Sequence, residues 1–132
     1  MDTRKDVAAL TGRVLLALMF VWAGIGKITG YEGTAGWMAS AGMPMVGVFL
    51  PLAILVELGG GLALIVGWKA RWVALALAGF TLVASLIFHN YWTMTGAAVM
   101  TNMLFFYKNV AVIGGMLMVF AFGPGRISVD RG

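Results

Sequence analysis

The sequence has no cysteine, one histidine, three prolines and only five acidic residues in 132. Without cysteine the chain has no disulfide, no thiolate metal site and no thiol redox step of its own. One histidine does not supply the two axial ligands of a bis-histidine haem within one chain. The carboxylates are too scattered to form a cluster of metal-ligating spacing, so no metal site is expected. No glycine loop follows a strand to hold a nucleotide, and no serine nucleophile stands beside a base. Ordinary surface charge is also scarce: 11% of residues are charged, against about a quarter in a soluble domain.

Hydrophobic residues make up 61% of the chain. They fall into four runs, at about 7–28, 45–66, 72–89 and 103–122, each close to the roughly 20 residues that a bilayer-spanning helix needs. The expected fold is all-α: an integral membrane bundle of four transmembrane helices forming one domain over 1–132. Arg13 interrupts the first run and no A-x-A-like cleavage site follows, so it reads as a retained span rather than a signal peptide. Between the first two runs, Thr29 to Pro44 is too short and glycine-rich to span. Trp37, Met38 and Ala41 there suit a short helix lying at the interface. The net charge of +4 is spread between apolar runs instead of gathered on one face, so nucleic acid is not an expected partner. Four spans put Arg4, Lys5, Arg13, Lys69, Arg71, Arg126 and Arg131 on one side, with Lys27 and Lys108 on the other. That asymmetry predicts a cytoplasmic-membrane protein with both termini in the cytoplasm.

One residue stands out. Glu57 lies near the middle of the second run, where a carboxylate costs about 2.5–3.5 kcal/mol on insertion scales and should face protein or trapped water. Stepping about 100° per residue gives each span one face of small and polar residues. These are Arg13, Ala17, Phe20, Gly24 and Lys27 in the first, and Ala53, Glu57, Gly60, Gly61 and Leu64 in the second. The third has Ala78, Leu82, Ser85 and His89, and the fourth Lys108, Ala111, Gly115 and Phe122. Small faces pack helix on helix in lipid, so Gly24, Gly59, Gly60, Gly61, Gly114 and Gly115 are expected packing positions. The exposed small residues Ala74 and Ala78 offer a contact for a homo-oligomer. By depth, Arg13 at about 8 Å and Glu57 at about 15 Å from the same end should pair, with Lys108 reaching toward them from above. Lys27 reads as a snorkelling anchor and His89 as a polar helix end. Arg13, Lys27, Glu57, His89, Lys108 and Asn109 form the expected intramembrane polar cluster; structural charge pairs in a scaffold account for it as readily as a functional site does.

The ordered set of motifs resembles the DoxX family of small bacterial membrane proteins. It comprises Arg13 opening the first span, Gly24-Ile25-Gly26-Lys27 ending it, Glu57-Leu58-Gly59-Gly60-Gly61-Leu62-Ala63-Leu64 running to Gly67, then His89, Lys108-Asn109, Gly114-Gly115 and Gly123-Pro124-Gly125-Arg126. The resemblance covers about Leu10 to Asp130. It implies a four-span protein of the bacterial inner membrane, some of whose relatives are linked to thiosulfate:quinone oxidoreduction or to membrane oxidoreductase complexes. The expectation is a membrane subunit of a redox-linked system, with a quinone as candidate cofactor and electrons supplied by a partner protein. The alternative is a non-enzymatic scaffold or small-solute carrier.

Overall fold

The computed structural model describes residues 2–132. Asp2 starts the first helix, α1 (Thr3–Thr29), by accepting hydrogen bonds from the backbone N–H groups of Arg4 and Lys5, the N-cap role for which a short acidic side chain is suited. A short helix, α2 (Tyr31–Ser40), follows. The second span runs from Val46 to Val66. It consists of α3 (Val46–Ile54), one π turn (Leu55–Gly59) and α4 (Gly60–Val66). Pro51 lies one turn before the π turn and removes a backbone donor from the helix. The third span is α5 (Ala70–Phe88), and the fourth is α6 (Ala97–Phe122). No strand occurs among the described residues. The molecule is an all-α membrane bundle of four spanning helices with a short fifth helix between the first two.

α6 begins at Ala97 rather than near Met103. Hydropathy marks only the apolar part of a helix, and no breaker stands between Gly96, which turns the chain at φ 68, and Gly123. Inside the bundle, Ala17, Phe20, Leu64, Ala70, Ala74, Leu77, Ala78 and Met116 form one buried cluster. Leu15, Trp22, Leu55, Leu104 and Phe122 are among the large apolar side chains that point outward, and lipid is their natural solvent.

Close approach explains four glycines. A Cβ at Gly24 would lie 3.0 Å from the Leu58 Cβ, and one at Gly61 would lie 2.8 Å from Val21 and 3.2 Å from the Ala17 carbonyl oxygen. Gly60 meets Leu77 in the same way, and Gly115 meets Leu16. Gly59 and Gly114 do not: their Cβ positions meet no neighbouring span, because each lies on the exposed side of its helix. Ala74 and Ala78 are buried against the other spans, which withdraws them as an oligomer contact. The inward face of α6 carries Asn109 and Met116, whereas Lys108, Ala111 and Phe122 are exposed. That face is rotated by one residue from the expected stripe. Leu82 of α5 is likewise exposed, its place inside taken by Thr81.

At one end of the bundle the chain after α6 folds back under the second and third spans. Val129 N–H donates to the Val66 carbonyl and Asp130 N–H to that of Gly67. The Asp130 carboxylate accepts from the N–H groups of Lys69 and Ala70 at 2.9 and 2.8 Å, so it caps α5 from 60 residues away in sequence. Gly67 takes a left-handed conformation at φ 75 and any side chain there would overlap Ser128, so this corner requires glycine.

Candidate functional site

The expected polar cluster divides into two places at different depths. The first lies at the end carrying both termini. Arg13, on the inward stripe of α1, is 2% exposed. Its Nε donates to the Leu64 carbonyl at 2.7 Å, and Nη2 donates to those of Ile65 at 3.1 Å and Ile127 at 2.8 Å; Nη1 donates to the Pro124 carbonyl. The planar, multi-donor guanidinium thus joins the last turn of α4, whose final carbonyls lack the i+4 donors of a continuing helix, to the returning tail. Arg13 is not the partner of Glu57. Counting depth along straight helices brings the two within reach, but the guanidinium is held by four backbone oxygens, and these carry no side-chain signature in a sequence.

The second place lies toward the opposite end, where the spans part around a cavity of about 520 Å³. Glu57 reaches it from the π turn. Such turns widen the helix locally and recur at functional sites. Its partner is Lys27, with Nζ 2.8 Å from Oε1; the glutamate side chain is 6% exposed and the lysine 27%. Lys27 therefore bends inward instead of snorkelling to the interface. The ammonium compensates the charge, and apart from it Oε1 is buried with no other hydrogen-bond donor. A carboxylate oxygen with one cationic neighbour still has a lone pair free for a further donor.

The other cluster residues sit higher on the same cavity. Asn109 Nδ2 donates to Ser85 Oγ at 2.9 Å, and Ser85 and Thr81 pass hydrogen bonds on to the carbonyls of Thr81 and Leu77, each at 2.7 Å. This buried ladder stitches α6 to α5. His89 Nδ1 lies 2.8 Å from Asn102 Oδ1. Lys108 stands at the rim with Nζ 5.0 Å from the centre of the Phe105 ring. Among the described residues its ammonium has no carboxylate partner, and it does not bridge Glu57 to Arg13. The rest of the lining is apolar or aromatic: Phe20, Met38, Leu52, Val56 and Phe80 among others. Trp37 of α2 stacks on Phe88 with ring centres 4.7 Å apart, and Met38 beside it is buried. α2 is thus a cover over the cavity. The sequence gives the interfacial helix, but not the aromatic stack that seats it, since Trp37 and Phe88 lie on separate segments. Nor does it reveal Thr81, or the carbonyls that receive Arg13. Among the described residues no group of three His, Asp or Glu side chains is placed to hold a metal ion.

Compared with known proteins, the chain matches the family model described as DoxX over residues 8–90. It is 44% identical to inner membrane protein YqjF of Escherichia coli strain K12 over 99% of this chain and 95% of that one. Against inner membrane protein YphA of the same organism, identity is 37%, over 96% and 91% of the two chains. A Surfeit locus protein 4 homolog of Drosophila melanogaster is 26% identical over 96% of this chain, which spans 41% of that longer protein. No solved structure matches.

Proposed function

The chain belongs to the DoxX family, and from that premise we propose that it is an inner-membrane subunit of a redox-linked system, with its cavity holding the head of a lipophilic redox molecule of the quinone class. The proposal includes both termini on the cytoplasmic side, following the Lys and Arg asymmetry. The observation that carries it is Glu57: a buried carboxylate in mid-span, paired with Lys27 at 2.8 Å and with no other donor on Oε1, at the wall of a largely apolar cavity.

The residues present fit such a molecule. The cavity volume lies within the range of about 300–1,000 Å³ usual for small-molecule sites, and a few polar groups on an apolar lining is the usual pattern. A hydroquinone hydroxyl would donate to Glu57, while Lys27, Asn109 and His89 are the groups available to a ring oxygen. Phe20, Met38 and Phe80 would meet the ring faces. When bound, a quinone supplies electron exchange coupled to protons. The chain's own share is to orient the ring, exclude water, and hold or release a proton at Glu57. The electrons would come from a partner protein.

The test is to purify the protein from native membranes without stripping lipid and to identify what it retains by mass spectrometry, comparing wild type with Glu57→Gln. A quinone held by wild type and lost in the variant is the expected result. No quinone with either, and no uptake of an added long-tailed quinone, refutes the reading. A second reading, a non-enzymatic scaffold or small-solute carrier, is favoured by Arg13 and its four carbonyl partners, a buried charge whose bonds all go to structure. It predicts that Glu57→Gln changes stability, or a solute flux, without altering any bound quinone.

A further inference from the structure

The cavity has two boundaries, and they differ in kind. Toward the end opposite the termini it is covered by α2, seated through the Trp37–Phe88 stack and the buried Met38. Toward the side, it lies between α3 and α5. These helices come from neighbouring spans that meet lower down, where Gly60 rests on Leu77. Above that contact α3 packs on α1 and α2, while α5 packs on α6. The cavity-lining residues on the two facing edges remain open to the outside: Phe49 at 38% and Leu52 at 48% on α3, Val83 at 56% and Ile87 at 37% on α5. All four are apolar, as edges that face lipid would be.

We infer that the cavity is loaded sideways from the bilayer through the gap between α3 and α5, and that its ligand is an amphiphile whose polar head reaches Glu57 and Lys27 while its hydrocarbon tail stays in the lipid. The inference rests on reading the cavity as a binding site and adds the class of molecule and its route. Three features agree on it. The rim is apolar on both edges, which suits a tail and gives a hydrated solute nothing to exchange its water for. Glu57 and Lys27 lie deep, so a head entering by the gap must travel past its apolar edges before it meets them. The Trp37–Phe88 stack covers the end nearer water, whereas the lateral gap has no side chain bridging it with a hydrogen bond or ion pair among the described residues.

The absence of native cysteine makes the test clean. Ala53→Cys places a single thiol inside the cavity, in protein reconstituted in vesicles made permeable so that reagents reach both faces. The probes are one maleimide group carried on either an uncharged lipophilic body or a sulfonated one. The thiolate population is common to both, so the ratio of their rates, normalised to Gly33→Cys on the exposed part of α2, reads the route. The expected result is a lipophilic preference of about tenfold or more, since a sulfonate pays heavily to leave water. Ala84→Phe on the α5 edge should slow the lipophilic reagent, Val83→Ala should quicken it, and Trp37→Ala should admit the charged one. Equal rates, preference for the sulfonated reagent, no reaction with either, or indifference to both changes on the α5 edge would overturn the inference. Labelling needs no quinone, so a failed route leaves the quinone experiment standing. A confirmed route with no quinone bound would instead point to another tailed molecule.

Discussion

Removing Lys27 should do more harm than removing both Lys27 and the charge of Glu57. In Lys27→Met the carboxylate keeps its place in mid-span, 6% exposed, and loses its cation, the one donor near Oε1. Stripping one partner from a buried pair costs about 3–5 kcal/mol. Glu57→Gln leaves a lysine whose side chain is 27% exposed and whose long stem can carry the ammonium back to the interface. Its cost should be about 1–2 kcal/mol, that of an amide poorly satisfied in the same place. The double variant contains no unpaired charge, so it should be more stable than Lys27→Met alone. The coupling between the two sites should be about 1.5–3 kcal/mol, within the span seen for residues in direct contact. Reversible unfolding in mixed micelles, read by helix content over the four-variant cycle, measures it. Additive costs would refute the pairing. So would the same cycle run with Arg13→Met in place of Lys27→Met, if coupling to Glu57 appeared there instead.

Other outcomes follow from the packing. Arg13→Lys keeps the charge but loses the planar fork that serves four carbonyls; it should cost about 2–3 kcal/mol and speed trypsin cleavage after the exposed Arg126, and unchanged cleavage would count against the clamp. Asp130→Ala should cost about 1 kcal/mol through loss of the cap on α5, with the same rise in tail proteolysis. Gly61→Ala must push α4 off α1 and should cost about 1–3 kcal/mol, whereas Gly114→Ala, with open space at its Cβ position, should change stability by no more than about 0.5 kcal/mol. Equal effects of these two glycine changes would refute the packing assignment.

The architecture is legible in the sequence because lipid leaves few choices. Apolar runs of spanning length must be helices, and a carboxylate inside one must turn inward. The stripe through Arg13, Ala17, Phe20 and Gly24 is the buried face of α1 for that reason. What helical counting does not resolve is which polar group meets which. Arg13 and Lys27 both flank Glu57 in depth, and the choice between them is made by the Leu64, Ile65, Pro124 and Ile127 carbonyls, acceptors that every residue type carries. The face of α6 is misread for a related reason: Lys108 and Asn109 are adjacent polar residues, and only the position of Ser85 decides that Asn109 is the one inside. The cavity itself depends on α3 and α5 parting above Gly60, a matter of helix tilt that hydropathy does not encode.

The tail's hold on Arg13 has a consequence for how the molecule comes to be made. The first span is threaded into the membrane early, yet two of the oxygens that receive its guanidinium lie 111 and 114 residues further along the chain. Until the ribosome has delivered them, the partly built protein carries a cation at its base with only the second span to receive it. Delivery of Pro124 and Ile127 is thus what completes the guanidinium's set of acceptors. A nascent chain stalled after α6 should insert all four spans and still leave Arg13 with only the Leu64 and Ile65 carbonyls.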